Sequence, residues 1–220
     1  MTGMSLRVLI FPRWSGRYAV AWVYLVGFVV VDIAVGVLSP AGRSAVQQWA
    51  STNVVNLRQD PLGCLIASAF VPSGDSVAWP LLIAAAMFGA NRVLGNWRTV
   101  AVCGAGHVVG TLVSEGIVAY RIAQGLLPES DSRIIDVGPS YVVVAAAVIA
   151  VLYGPWAARI AAGADLLLLI VVGGIFSGLS TLQVAAVGHT TSLVVGVILG
   201  GVLLCRPRHR YDLKGAPHAE

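Results

Sequence analysis

Two polar residues lie inside apolar stretches where a hydroxyl and an imidazole would have chemistry to do together. Ser140 stands in Asp-Val-Gly-Pro-Ser-Tyr (136–141), and His189 in Val-Gly-His-Thr-Thr-Ser-Leu-Val-Val-Gly (187–196). A serine hydroxyl becomes a nucleophile when a base within hydrogen-bond reach takes its proton and oxyanion donors stabilise the product of attack. The structural alternative is ordinary in membranes. A serine within a span bonds back to its own helix, and a lone histidine serves as glue between helices.

The elements that must position this pair follow from composition. Of 220 residues, 57% are hydrophobic and only 11% are charged. A soluble domain averages about 25% charged residues, so the chain reads as an all-α membrane protein, multi-pass in a cell membrane. Apolar runs near the ~20 residues needed to cross a bilayer fall at about 18–38, 76–91, 99–120, 136–153, 156–175 and 183–204. Pro80 interrupts the second of these. Residues 18–204 thus form one membrane domain, preceded by a cytoplasmic segment 1–17 and followed by a basic cytoplasmic tail 205–220 in which His209 and His218 are solvated.

Charge sets the expected orientation. With six spans and both termini inside, Arg7, Arg13, Arg17, Arg92, Arg98, Arg159, Arg206, Arg208, Arg210 and Lys214 are cytoplasmic, and only Arg43, Arg58, Arg121 and Arg133 are outside. Ten of the 14 basic residues on one side follow the positive-inside rule. The net charge of +4 is therefore a topology signal and points to anionic lipid at the cytoplasmic face, not to nucleic acid. The longest stretch outside the spans, 39–75, contains an apolar segment at 61–71 that is too short to cross and reads as an interfacial or re-entrant helix. Cys64, Cys103 and Cys205 lack metal-ligand spacing, and packing is the reading for the last two. No metal or cofactor is expected.

Direction of travel sorts the polar residues by depth. Ser140 and His189 each enter from the outer face and lie roughly 6–9 Å below it at 1.5 Å per residue. Asp32 and Glu115 share that layer. Glu115 either orients a partner in a cavity or, the preferred reading, reaches the outer interface. His107 reads as a packed core histidine and Asp165 as its partner near mid-membrane, while Asp136 is placed to cap the fourth helix. Gly188, Ser192, Gly196 and Gly200 form a small-residue stripe along the sixth span, expected to meet the fourth helix, and Gly104, Gly106 and Gly110 predict a second close crossing on the third.

Over about residues 60–204 the chain resembles the rhomboid family of intramembrane serine proteases. The likeness is carried by Gly138-Pro139-Ser140, by Gly188-His189 followed by Gly196 and Gly200, and by Phe88-Gly89 with Leu94-Gly95-Asn96-Trp97-Arg98. It implies a six-helix bundle in which Ser140 is the catalytic nucleophile and His189 the base, acting on transmembrane segments of other membrane proteins. It also implies oxyanion-stabilising His and Asn on the second span. The corresponding positions fall near Val77 and Leu81, and no His or Asn lies between 76 and 90. Tyr141 replaces the small residue that follows the family's serine, and no tyrosine in 156–180 is available to stack on His189. Two functions remain open: a Ser-His protease, or an inactive relative that binds transmembrane clients. A transporter is disfavoured because no repeat, broken helix pair or charged pathway is evident.

Overall fold

The structure is a computed structural model describing residues 16–74 and 77–205; the rest of the N-terminal segment and the basic tail with His209 and His218 lie outside the described residues. Nine α-helices and two 3-10 turns, with no strand, lie within the described residues. They are α1 (Ala19–Gly36), α2 (Pro40–Ala50), α3 (Val54–Gln59), α4 (Pro61–Ser68), α5 (Trp79–Leu94), α6 (Asn96–Ala123), α7 (Ser140–Tyr153), α8 (Trp156–Val171) and α9 (Val184–Cys205). Each of the six apolar stretches contains a helix among the described residues. Of these, α1, α6 and α9, with 18, 28 and 22 residues, are long and apolar enough to cross a membrane, while α5 and α7 are apolar but shorter.

Pro80 does not break its helix. It occupies the first turn of α5, where its missing N–H would have had no partner. The 39–75 segment holds three helices where the sequence predicted one. Ser39 accepts from the Gly42 N–H to cap α2, Asn53 accepts from Asn56 to cap α3, and Asp60 accepts from Gly63 to cap α4. On α4, Leu62 and Ile66 turn outward and are exposed.

The bundle is organised around α7. Its residues Tyr141 to Ala150 are all buried, enclosed by α5, α6, α8 and α9. Glycines on three neighbours make that enclosure tight. A Cβ at Gly89 of α5 would meet Ala150, one at Gly106 of α6 would meet Ala145, and Cβ atoms at Gly196 and Gly200 of α9 would meet Val148 and Ile149. Dispersion between closely approaching helices is what holds an apolar bundle together in lipid. The expected small-residue stripe is therefore real: Gly188, Gly196 and Gly200 face α7, and Ser192 donates to the Gly106 carbonyl of α6 at 2.7 Å. Gly106 and Gly110 serve the second close crossing, but Gly104 faces open space.

Two further expectations fail. Cys103 is buried beside Met87, but Cys205 is exposed and does not pack in the core. Asp165 is buried on α8, which packs on α5 and α7, with Oδ2 unpartnered, whereas His107 of α6 turns to α4; the two do not pair.

Candidate functional site

The starts of α5, α7 and α9 gather at one end of the bundle with α2–α4, where Trp79, Ser140 and His189 line one cavity and Gln47 lines the next. There Ser140 is the first residue of α7, following Gly138, whose φ of +130° lies in the left-handed region that favours glycine. The Gly138 N–H donates to the Ser68 carbonyl at 2.9 Å, tying the turn to the end of α4. No side chain caps α7. Its first intrahelical bond runs from the Val143 N–H to the Pro139 carbonyl, so the N–H groups of Ser140, Tyr141 and Val142 have no partner within the helix.

Ser140 and His189 meet at two adjoining cavities. One, of about 550 Å³, lies between the starts of α5 and α7 and the end of α8, lined by Trp79, Leu82, Leu169, Val172 and Ile175 among others. The other, of about 240 Å³, is walled by Gln47, Ile135, Asp136 and Ala185. Ser73, Ser140 and His189 line both. No hydrogen bond joins Ser140 Oγ to His189 Nε2.

The histidine is held by its other nitrogen. His189 Nδ1 lies 3.1 Å from the Ile175 carbonyl oxygen, which accepts only, so Nδ1 carries the hydrogen. The neutral ring then presents its lone pair on Nε2, which is buried and without a hydrogen-bond partner. That is the tautomer a general base needs.

Tyr141 supplies the tyrosine that the 156–180 segment lacks. Its ring meets His189 edge-on at a centroid distance of 4.9 Å and an interplanar angle of 82°. Successive helical residues diverge by about 100°, which lets one turn of α7 send Ser140 to the cavities and Tyr141 toward α9. Gly188 makes room: any Cβ there would strike the Tyr141 ring. At the far end the Tyr141 hydroxyl donates to Asp136 Oδ2 at 3.0 Å. Asp136 also accepts from Thr52 Oγ1 at 3.3 Å, and its N–H donates to Ser51 Oγ at 2.9 Å. Asp136 is thus no helix cap; the residue preceding α7 is Pro139, and the carboxylate anchors Tyr141 instead.

Glu115 does not reach an interface either. It is 2% exposed, near the Val54 backbone and within electrostatic reach of Asp136, with neither oxygen meeting hydrogen-bond geometry. His107 is tied to α4, its Nε2 lying 2.9 Å from the Leu65 carbonyl and 3.1 Å from Ser68 Oγ. Asp32 is half-buried on α1 and lines neither cavity. Val77 and Leu81, the positions corresponding to the family's oxyanion side chains, are 93% and 74% exposed. At the start of α5 the cavity sees Trp79 and Leu82, with Ala78 just before them. Among the described residues, no group of three or more His, Cys, Asp or Glu could hold a metal ion.

Sequence reasoning missed Ser73, Ser51, Thr52 and the role of Tyr141. Only Tyr141 carried a signal, as a bulky residue where the resemblance expects a small one. No curated protein and no solved structure matches the chain. The family described as rhomboid-like protein matches residues 16–211, nearly the whole length, over a helical bundle with membrane-length apolar helices, and the chain belongs to that rhomboid-like family.

Proposed function

We propose that this rhomboid-like protein is an intramembrane serine protease that cleaves transmembrane segments of other membrane proteins. The observation that carries the reading is the convergence of Ser140 and His189 on the same two cavities, with the His189 lone pair on Nε2. In this mechanism Ser140 Oγ attacks the scissile carbonyl while Nε2 takes the hydroxyl proton, and His189 then returns that proton to the departing amine. Water repeats the sequence on the acyl-enzyme, giving a free carboxylate and restoring the serine. The unpaired N–H groups at the start of α7 and the Ser73 hydroxyl are the donors available to the oxyanion. Tyr141 and Asp136 act as positioning residues for the imidazole.

In this reading α1, α5, α6, α7, α8 and α9 form six spans in the cell membrane, with both termini cytoplasmic. A reporter fused after Glu220 then reads as cytoplasmic and one inserted near Ser130 as external. An external reading at the C-terminus rejects the six-span arrangement.

A second reading has its own support. The α5 side of the cavity carries no amide or imidazole, and the Ser140–His189 hydrogen bond is unmade. Both facts favour an inactive relative that binds transmembrane clients without cutting them. A fluorophosphonate probe separates the two. The protease reading expects covalent labelling of the wild type that Ser140→Ala abolishes; a folded wild type that resists high probe concentrations leaves client binding as the function.

A further inference from the structure

At the end of the bundle opposite Ser140, α1, α5 and the start of α8 enclose an open groove of about 830 Å³. Its walls are apolar, including Trp22, Ala85, Phe88 and Ala158, and Tyr18 and Arg92 stand at its mouth. Trp22 and Phe88 meet edge to face, with centroids 4.9 Å apart.

The mouth is a built platform. The Asn91 side chain is fully buried; its Nδ2 donates to the Arg17 carbonyl at 3.0 Å and its Oδ1 accepts from the Ala21 N–H at 3.2 Å. Asn96 Nδ2 donates to the Gly16 carbonyl at 2.6 Å. These amides fix the start of α1 against the α5–α6 turn and bring two arginines together. Arg17 Nη2 donates to the Arg92 carbonyl at 3.4 Å, and Arg92 Nη1 donates to the Tyr18 hydroxyl at 3.3 Å. Both arginines are exposed, and their bonded partners here are neutral oxygens, with no carboxylate of the described residues paired to either.

We propose that this groove binds an anionic phospholipid from the leaflet at that end, with its phosphate on Arg17 and Arg92 and an acyl chain along Trp22 and Phe88. Two guanidinium groups gathered about Tyr18, with Arg17 Cζ 5.8 Å from its ring centre and Arg92 Nη1 on its hydroxyl, offer a phosphate both positive charge and N–H donors. The volume falls within the ~300–1,000 Å³ of small-molecule sites. Trp and Tyr are the residues that sit at headgroup level, and basic pockets between membrane helices take anionic headgroups. The groove is open along an apolar flank, which suits a lipid chain sliding in from the bilayer. The proposal is independent of whether Ser140 is catalytic.

The test uses the full chain in neutral detergent and native mass spectrometry, with phosphatidylglycerol and phosphatidylcholine of identical acyl chains. Phosphatidylglycerol is expected to be retained in preference, and Arg17→Gln and Arg92→Gln are each expected to weaken that preference by about fivefold, the equivalent of one basic contact at a membrane surface. Ala85→Phe, which fills the groove and leaves both arginines in place, is expected to reduce retention of both lipids. Equal retention of the two lipids by wild type overturns the proposal, as does undiminished preference in the arginine variants. Displacement of the lipid by glycerol phosphate, which has no chain, identifies a soluble phosphate site and overturns it. Loss of bound lipid on formation of a dimer shows the groove to be an interface between two copies, and also overturns it. Should the arginine variants fail to fold, Arg92→Lys with Ala85→Phe decides: retention in the first and loss in the second are required.

Discussion

Two histidines flank one tyrosine, and they have opposite fates. His107 lies on the α4–α6 side of Tyr141 at a ring distance of 6.1 Å, and His189 lies on the α9 side at 4.9 Å. Both are buried and both bond a backbone carbonyl. His107 bonds through Nε2, so its lone pair is on Nδ1, enclosed in protein; His189 bonds through Nδ1, so its lone pair is on Nε2 beside two cavities that also reach Ser140. Burial and residue type do not distinguish these two imidazoles. The nitrogen that is tethered and the space beside the other one do.

The strongest way to break this contrast is to remove each ring. His189→Ala is expected to slow fluorophosphonate labelling of Ser140 by about 10² or more, the usual contribution of a general base. His107→Ala removes the 2.9 Å bond to the Leu65 carbonyl, leaving it only the Ser68 hydroxyl at 3.3 Å, and costs about 1–3 kcal/mol of stability, with the labelling rate changed by less than about threefold. Equal loss of labelling in both variants, at equal fold integrity, dissolves the distinction.

A smaller effect tests why the two sides of Tyr141 differ. Gly188→Ala drives a methyl into the Tyr141 ring and is expected to cost about 1–3 kcal/mol by overpacking, lowering the unfolding temperature and displacing the ring from His189. Gly104→Ala meets nothing within 4 Å and should be neutral or slightly stabilising, since alanine favours the helix. A Gly188→Ala protein as stable as wild type means that Tyr141 has another resting place.

The smallest effect sharpens the picture of the cavity. Leu82→Asn puts an amide on the wall facing Ser140 and is expected to accelerate labelling by about tenfold, a fraction of the 10²–10³ that a well-placed oxyanion donor contributes. Leu81→Asn faces outward and should leave the rate unchanged. Acceleration by Leu81→Asn alone would require α5 to be rotated about its axis.

Those two leucines show where the sequence was legible and where it was not. Apolar length found α1, α6 and α9, and the repeat from Gly188 to Gly200 named the face that meets α7, because both are periodic properties of the chain itself. The caps Ser39 and Asp60, each followed by proline, also announce α2 and α4, and were readable in principle. Counting along α5 missed the wall position by one residue because about 100° of rotation per residue separates Leu81 from Leu82. The anchoring of Tyr141 on Asp136 and the tether of His107 to Leu65 join residues through side-chain directions and distant loops, which no spacing rule records.

The enclosure of α7 has a consequence for how the protein meets lipid. A 14-residue helix rises about 21 Å, well short of a hydrocarbon core of about 30 Å. Because Tyr141 to Ala150 are buried inside the bundle, hydrophobic mismatch acts on the outer helices, which adapt by tilting, and not on α7. Ser140 therefore keeps its place among its neighbours in thick and thin bilayers alike. In the six-span arrangement proposed above, what changes with bilayer thickness is the height of lipid above it, and so the distance water must descend to reach the serine.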